Sequence, residues 1–314
     1  MNDKIFNLPV LTQISPYLSQ RQLGELPLIV ISHPKVRGAI SFQGAQLIAW
    51  QPSGQKPCLW LSENSEFKPG TAIRGGIPIC WPWFGPAGTP SHGFARILPW
   101  EFTAHNEHDD GVILTFTLSD NEYTKKLWPH DFTLILRFKL GETCEIELES
   151  YGNFSATCAM HSYLNISDIQ KTAVYGLGSH YLDKVTDKQE YNASTLRVNG
   201  RTDRIYTESD EYSLVRDDGW QRTIEMHHYH HSDVVCWNPW AELSCSMPDM
   251  PNNGYKQMIC VETARINKPM IPDNAEPARM SLIMRCRDHN EFHPYLDNAA
   301  QDDSYKKNNS SDNT

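Results

Sequence analysis

The stretch from residue 67 to residue 100 has the residue types of an anion-binding site. It contains no Asp or Glu, although the chain carries a net charge of -10, and its only charged side chains are Lys68, Arg74 and Arg96. Guanidinium groups bind phosphate through paired hydrogen bonds, each contributing about 1.5–3 kcal/mol when shielded. Glycines in the stretch allow close backbone approach, and Trp and Phe side chains supply flat apolar surface. The stretch predicts a phosphorylated-sugar site, although distant carboxylates could instead pair with the arginines.

Two further residues have side chains suited to proton transfer. His161 lies in an otherwise apolar run, and Glu262 follows four residues that read as fully buried. A histidine in an apolar strand is more often a hydrogen-bonded core residue than a catalyst, and a buried glutamate can be paired structurally. The residue pattern alone leaves acid/base chemistry and a structural role open for both.

The densest histidine cluster runs from Met226 to His231. In a strand, His228 and His230 would share a face at a spacing that could hold a transition metal. No Cys or carboxylate lies in the cluster, so a polar loop or an edge strand is the better interpretation, and no metal or other cofactor is predicted. Asp203 could accept hydrogen bonds from sugar hydroxyls or serve as a turn residue.

The elements that must position these residues are mainly β-strands. Alternation is clearest in residues 132–140, where Leu134, Leu136, Phe138 and Leu140 share one face of a half-buried antiparallel strand. A short helix is predicted over 120–128, capped by Ser119 with Glu122 and ended by Pro129. The predicted strands are 26–32, 36–42, 45–50, 112–118, 132–140, 144–151, 158–166, 234–237, 258–263 and 280–286.

This pattern predicts an all-β fold, a large antiparallel β-sandwich with few short helices. The 314 residues could form two average domains, but no linker separates two folding units. We expect an irregular N-terminal arm over residues 1–24 and a single sandwich domain carrying the site over 25–290. Residues 291–314 have almost no apolar side chains and are expected to be a disordered polar tail.

The amino-acid composition limits the classes of partner that the protein is expected to bind. A pI near 5.7 argues against nucleic acid or an anionic membrane, because neither is held without an extended basic face. The eight cysteines are scattered without C-x-x-C pairs, which is typical of reduced core thiols. No apolar run approaches the length of a bilayer span, and the N-terminus lacks an export signal. We therefore expect a cytoplasmic protein, a monomer, with a small-molecule partner.

Seven ordered segments between residues 25 and 287 carry a family resemblance. They are RGGIPICWPWFG from Arg74, SHGFARILPW from Ser91, WPHDF from Trp128, MHSYLN from Met160, RTDR from Arg201, WNP from Trp237 and CVETA from Cys260. In this order they resemble the hexose-6-phosphate mutarotases, also called glucose-6-phosphate 1-epimerases, within the aldose 1-epimerase superfamily. The resemblance implies a galactose mutarotase-like sandwich that binds the sugar in a cleft on one concave sheet.

The resemblance also implies residue roles. His161 would be the general acid and Glu262 the general base, while Arg74, Arg96 and Asp203 would bind substrate. His92 would be a second imidazole near the sugar. At Ser91 the chain differs from members that have Gln, so a contact there would be shorter or mediated by water.

The implied reaction interconverts the α- and β-anomers of a hexose 6-phosphate, without a metal, nucleotide or redox cofactor. For that reaction we expect Glu262 to be ionised and His161 to be protonated at neutral pH. Three alternatives remain: a sugar-phosphate sensor without catalysis, a metal-dependent cupin-like enzyme that uses the histidine cluster, and a glycosidase. The glycosidase would need Glu262 and a second carboxylate such as Asp203 about 5–5.5 Å or about 6.5–9.5 Å apart.

Overall fold

The structure is a computed structural model that describes residues 1–191, 195–273 and 275–289. The first strands are β1 (Thr12–Gln13), β2 (Leu18–Leu23), β3 (Leu26–His33), β4 (Val36–Ser41), β5 (Gln46–Pro52), β6 (Ile79–Cys80) and β7 (Glu101–His108). Next come β8 (Gly111–Ser119), β9 (Phe132–Gly141), β10 (Thr143–Gly152), β11 (Ala156–Met160), β12 (Tyr163–Asn165), β13 (Thr172–Tyr175) and β14 (His180–Asp183). The last are β15 (Lys188–Tyr191), β16 (Thr202–Tyr206), β17 (Tyr212–Asp217), β18 (Arg222–Tyr229), β19 (Asp233–Asn238), β20 (Met258–Met270) and β21 (Ala278–Asp288).

These strands form three antiparallel sheets. A five-stranded sheet contains β1 to β5 in chain order. The scaffold sheet has the order β13-β17-β18-β21-β10-β9-β8-β7. The site sheet has the order β15-β14-β16-β19-β20-β11-β6, with β12 also paired to β20.

Helices are few and short in the described residues. The α-helices are α1 (Asn2–Phe6), α2 (Glu122–Leu127) and α3 (Trp240–Ser246), and the 3-10 helices are Gly85–Ala87, Ala95–Ile97, Ile169–Lys171 and Gly254–Gln257. None of these helices is long and apolar enough to span a lipid bilayer.

A shared apolar core joins the three sheets. It includes Ile29 of the five-stranded sheet, Leu136 and Phe138 of the scaffold sheet, and Val234 and Val261 of the site sheet, all essentially inaccessible to solvent. The alternation predicted for β9 is confirmed, because its four apolar residues are buried while the intervening Arg and Lys reach solvent. Burial of one face of each sheet against another gives the predicted all-β antiparallel sandwich.

The N-terminal arm is not irregular, which corrects the prediction for residues 18–23. Those residues form β2, which pairs with β3 through a tight turn at Gly24, a residue with φ of 59°. Leu18 and Leu23 are buried at the two ends of the strand. The polar residues between them interrupt the apolar alternation, so no strand is predicted there from sequence. The predicted polar tail lies outside the described residues.

The prediction for the short helix also needs correction. The helix predicted over 120–128 is α2, but its capping residues are Asn121 and Thr124 rather than Ser119 and Glu122. Asn121 Oδ1 accepts hydrogen bonds from the Tyr123 and Thr124 amides. The asparagine immediately preceding the helix thus satisfies the free N–H groups of its first turn.

The cysteines behave as expected of reduced thiols. All eight are free, and seven of them are buried in the core. The exception is Cys245 in α3, which is exposed.

Candidate active site

The register of the site sheet places a row of side chains across one face. Tyr163 on β12 pairs with Cys260 on β20, Cys260 pairs with Trp237 on β19, and Trp237 pairs with Asp203 on β16. Directly opposed residues of neighbouring strands project from the same face. Glu262 lies two residues beyond Cys260 on β20, so its side chain projects from this face as well.

His161 lies beside Glu262 at an interruption of the sheet. The strand predicted over 158–166 divides into β11 and β12, because the His161 amide donates to Pro78 O at 3.0 Å and the Ser162 amide donates to Met160 O at 2.9 Å. His161 Nδ1 lies 3.4 Å from Glu262 Oε1, and the two side chains are 8% and 1% exposed. The His161 ring stacks on Tyr163, with centroids 4.7 Å apart and planes 5° apart.

The contact between His161 and Glu262 leaves donor and acceptor capacity unused. The two facing atoms are close but not aligned for a hydrogen bond, and within the described part of the chain neither His161 Nδ1 nor Glu262 Oε2 has a hydrogen-bond partner. Both atoms are buried. Buried polar atoms without partners are rare in folded proteins and often mark sites that bind a ligand or perform chemistry.

Burial displaces the protonation equilibria of both groups. It lowers the pKa of His161 well below the ordinary imidazole value, an effect that nearby His92 and Arg96 reinforce. Burial raises the pKa of Glu262 well above that of a free carboxyl, and the Asp203 charge adds to this while Arg96 opposes it. These shifts favour the uncharged form of both groups, not the ionised Glu262 and protonated His161 that we expected from sequence.

His92 completes the imidazole side of the site. Its backbone has φ of 63°, and its ring centroid lies 5.6 Å from that of His161. The Gly85 amide donates to His92 Nδ1 at 3.2 Å. Burial, with the charges of Arg96 and Arg74, lowers the pKa of His92 to about 3, so this imidazole is neutral at physiological pH.

Arg96 supplies positive charge close to the pair. It lies in the 3-10 helix Ala95–Ile97, and its Nη2 donates to Ser91 O at 2.9 Å. Its Nε is buried, and among the described residues this atom has no hydrogen-bond partner and the side chain has no carboxylate within 4.0 Å. The Ser91 hydroxyl itself donates to Gly85 O at 3.2 Å. Arg96 is thus a cation whose charge is not yet matched by protein.

Arg74, in contrast, is already paired. Its Nη2 and Nε lie 2.9 and 3.0 Å from Asp249 Oδ2, and its Nη1 donates to the Tyr163 hydroxyl at 3.0 Å. The absence of acidic residues from positions 67–100 therefore did not leave Arg74 without a carboxylate. A guanidinium group has five N–H donors, so two remain for a ligand.

Asp203 lies at the far end of the row and is half-buried. Burial raises its pKa, although Lys184 and Arg201 act in the opposite direction. Its charge reaches Glu262 and helps to raise the pKa of that carboxyl. The structure thus brings all the predicted site residues into one neighbourhood, in which Asp203 and Arg96 influence the same buried carboxyl.

The histidine cluster has a different place in the fold. Most of it belongs to β18, which lies between β17 and β21, so neither the polar loop nor the edge strand that we expected is correct. His228 is buried between the sheets, with Nδ1 2.8 Å from Thr263 Oγ1 and Nε2 3.0 Å from Ser213 Oγ. His230 follows the strand with φ of 57° and does not continue its alternation. Its hydrogen bonds within the core explain why His228 can be buried without binding a metal.

Sequence reasoning missed some residues of the site. Tyr163 and Cys260 are each two positions from a predicted residue on a strand, so alternation alone could have placed them on the same face. Trp237 lies in a recognised segment but was given no role. Asp249 follows no periodic pattern and had no signal, because its contact with Arg74 joins distant parts of the chain.

Comparisons with known proteins agree with this geometry. The family description "Aldose 1-epimerase" matches residues 27–279. The chain is 51% identical over 286 residues to a Salmonella typhimurium protein named "Putative glucose-6-phosphate 1-epimerase", covering 90% of this chain and 97% of the relative. It is 50% identical over 291 residues to an Escherichia coli protein of the same name, covering 91% and 99% of the two chains.

A solved structure shows the same fold. The crystal structure of a "putative mutarotase (YeaD)" from Salmonella typhimurium superimposes with a TM-score of 0.90 at 50% identity, covering 92% of this chain and 99% of that one. This agreement confirms the mutarotase-like sandwich predicted from sequence. The match to the family covers the strands that carry His161, Glu262 and Asp203. The chain is therefore an enzyme of the aldose 1-epimerase family.

Proposed function

We propose that this enzyme interconverts the α- and β-anomers of a hexose 6-phosphate, with glucose 6-phosphate as the first candidate. The buried contact of 3.4 Å between His161 Nδ1 and Glu262 Oε1 carries the proposal, because it places an acid and a base side by side. The names of the two bacterial relatives support a phosphorylated glucose as substrate.

Anomer exchange requires proton transfer at two neighbouring oxygens. A base removes the proton from O1 while an acid protonates the ring oxygen, the bond between C1 and the ring oxygen breaks, and O1 becomes a carbonyl oxygen. After rotation about the C1–C2 bond, the reverse transfers close the ring. Both oxygens are bonded to C1, so the two protein groups must lie next to each other, as His161 and Glu262 do.

The proton count of the pair suits this reaction. In the uncharged pair Glu262 holds one proton and His161 holds a free lone pair, whereas transfer of that proton across their contact gives ionised Glu262 and protonated His161. Both forms contain one acid and one base. The difference from our expectation therefore changes the resting protonation state of the pair, but not its ability to donate and accept a proton. We assign ring-oxygen protonation to His161 and O1 deprotonation to Glu262, with the proton moving to His161 before the ring opens.

Arg96 is the main candidate for the phosphate. Its buried, unpartnered Nε and its lack of a nearby carboxylate among the described residues leave it able to form charge-assisted hydrogen bonds to an anion. Arg74 adds its two remaining N–H donors. We propose that Asp203 accepts hydrogen bonds from sugar hydroxyls, that neutral His92 contacts the sugar, and that Ser91 borders the phosphate.

Anomer exchange of glucose 6-phosphate, followed by NMR magnetisation transfer, tests the proposal. The wild-type protein should accelerate exchange, and Glu262→Gln should lower that acceleration by about 10²–10⁴-fold. The matched control is Glu147→Gln, since Glu147 is 41% exposed on β10 of the scaffold sheet. Saturable binding with exchange at the uncatalysed rate would instead indicate a sugar-phosphate binding protein, and hydrolysis of aryl glycosides would indicate a glycosidase.

A further inference from the structure

A soft donor atom lies beside the acid/base pair. Cys260 is fully buried on β20, and its Sγ, one ring nitrogen of His161 and one carboxylate oxygen of Glu262 all lie within 4.8 Å of one another. Cys260 and Glu262 share a face of the strand because they are two residues apart. The three residues are called the Cys-His-Glu group below.

We propose that the Cys-His-Glu group binds Zn²⁺ and that the bound ion blocks catalysis. Thiolate, imidazole and carboxylate are the protein ligands of zinc, with bond lengths of about 2.0–2.3 Å that place tetrahedral donors about 3.3–3.7 Å apart. The contact of 3.4 Å between His161 and Glu262 already has this separation. The other donor separations are at most 4.8 Å, so they must shorten by at most about 1.5 Å to fit one tetrahedral ion.

In the described residues, two of the donor side chains have a buried atom that no hydrogen bond occupies. Because Glu262 Oε2 and His161 Nδ1 have no hydrogen-bond partner in the described chain, coordination does not require an existing bond to break. The Cys260 thiol loses its proton to solvent as the zinc–sulfur bond forms, and Glu262 releases any proton that it holds. Three protein ligands leave a fourth tetrahedral position for water.

The charges around the group also fit a divalent cation. One thiolate and one carboxylate together balance Zn²⁺, and the nearby Asp203 carboxylate adds negative potential. Arg96 acts against the cation, whereas Asp249 compensates the charge of Arg74. Mg²⁺ and Ca²⁺ prefer six or more oxygen ligands, so a site with one sulfur and one nitrogen selects against them.

Zinc binding itself is independent of the proposed reaction, whereas inhibition rests on it. An ion that occupies the lone pairs of His161 and Glu262 removes both the base and the acid. The direct prediction is a reversible zinc-inhibited state that a chelator relieves.

Metal binding can be measured without substrate. Zn²⁺ is titrated into the metal-free protein in competition with a chromophoric chelator, and Co²⁺ is used to detect a thiolate-to-cobalt charge-transfer absorption. Cys260→Ala should weaken Zn²⁺ binding at least tenfold and abolish the cobalt band. Cys236→Ala is the matched control, because Cys236 is equally buried on β19 but pairs with Val261 and projects from the opposite face.

The result that overturns the site is a cobalt–thiolate band, or zinc affinity, that is the same in Cys260→Ala as in the wild type. A wild-type protein that binds Zn²⁺ no more tightly than Cys260→Ala overturns the site equally. Circular dichroism and the unfolding midpoint establish that each variant is folded before these comparisons are made.

Inhibition is then measured as anomer exchange relative to the metal-free rate of the same variant. Zn²⁺ should stop the wild-type and Cys236→Ala enzymes at a concentration at least tenfold below that needed for Cys260→Ala, and a chelator should restore the rate. If no variant accelerates exchange, the proposed reaction fails while the titration still decides the metal site. If Zn²⁺ binds through Cys260 and exchange continues, the inhibitory role is wrong.

Discussion

Arg74 and Asp249, which are 175 positions apart in the chain, form a two-point ion pair with distances of 2.9 and 3.0 Å. Arg74 Nη1 also donates to the Tyr163 hydroxyl, and the Tyr163 ring lies flat against His161. The ion pair therefore connects a candidate binding residue to the ring that stacks on His161, the proposed proton-transfer histidine.

Replacing Asp249 by Asn should impair substrate binding more than the chemical step. The amide keeps the shape of the side chain but removes the charge that orients Arg74, so we expect KM for glucose 6-phosphate to rise roughly 3- to 10-fold with little change in kcat. Because both side chains are about a quarter exposed, the free energy of unfolding should fall by only about 1 kcal/mol. Steady-state kinetics and urea unfolding measure the two effects.

A double-mutant cycle with Arg74→Gln is the control for this prediction. The two substitutions should be non-additive, because each removes the same ion pair. A coupling energy of zero in both kinetics and stability would show that the pair does not position Arg74.

Neutral substitution of the proposed catalytic pair, His161 and Glu262, should separate activity from stability. His161→Gln and Glu262→Gln should each lower kcat by about 10²–10⁴-fold. Burial raises the pKa of Glu262, so an ionised carboxylate at alkaline pH destabilises the folded state, and Glu262→Gln should unfold at the same or a higher urea concentration at pH 8. Loss of activity that parallels loss of fold would argue for a structural role.

Arg96→Ala should discriminate between phosphorylated and free sugars. Loss of one charged contact to phosphate should lower kcat/KM for glucose 6-phosphate by roughly 10- to 100-fold, while kcat/KM for glucose changes much less. Arg37→Ala, at an exposed position on the five-stranded sheet, is the control. An equal loss on both sugars would remove the phosphate assignment for Arg96.

The pH dependence of catalysis should differ from that expected if His161 and Glu262 were exposed to solvent. The pKa of His161 is lowered below 6.5 and that of Glu262 is raised above 4.5, so the singly protonated pair persists through neutral pH. We expect kcat/KM to show no ionisation near pH 6.5 and to fall only when the pair gains a second proton in acid or loses its single proton in alkali. A decline centred at pH 6.5 would indicate a solvated histidine.

His228 should make the fold sensitive to mild acid. Burial lowers its pKa to about 3, whereas an unfolded histidine has a pKa of 6.5, so the unfolded chain binds the extra proton as the pH falls through 6.5. The stabilisation from the neutral His228 is present above pH 6.5 and is lost progressively towards pH 3.

Urea unfolding of the wild type and of His228→Gln between pH 7 and pH 5 measures this effect. Well below pH 6.5, the difference in the free energy of unfolding between them should shrink by about 1.4 kcal/mol per pH unit as the wild type loses stability. The comparison cancels the opposing contribution of Glu262, which both proteins contain. A difference that does not depend on pH would mean that folding leaves the His228 pKa unchanged.

Much of the fold could be predicted because the strand signals are local. Each predicted strand corresponds to observed strand residues, and the alternation along β9 correctly assigned its buried face. The run over 158–166 is predicted as one strand because most of its residues are apolar. The interruption there arises from a hydrogen bond to Pro78, a residue far away in sequence.

The site was less predictable than the fold for a physical reason. His161 and Glu262 were candidates by residue type, but their contact depends on the pairing of β12 with β20, and their protonation depends on burial that no single segment encodes. Asp249 illustrates the limit, because an acidic residue in an irregular segment gives no sign that it will meet Arg74.

The proposed proton-transfer residues and the proposed phosphate-binding residue Arg96 lie in different parts of the fold. This separation has an evolutionary consequence. Strand register fixes Glu262, and a backbone hydrogen bond to Pro78 holds His161 between β11 and β12, whereas Arg96 lies in a short 3-10 helix outside the strands. Under the proposed roles, insertions and substitutions in that segment can exchange one recognised sugar substituent for another without disturbing the proposed proton-transfer groups. A single β-sandwich can in this way give rise to enzymes that share a reaction and differ in the sugar that they accept.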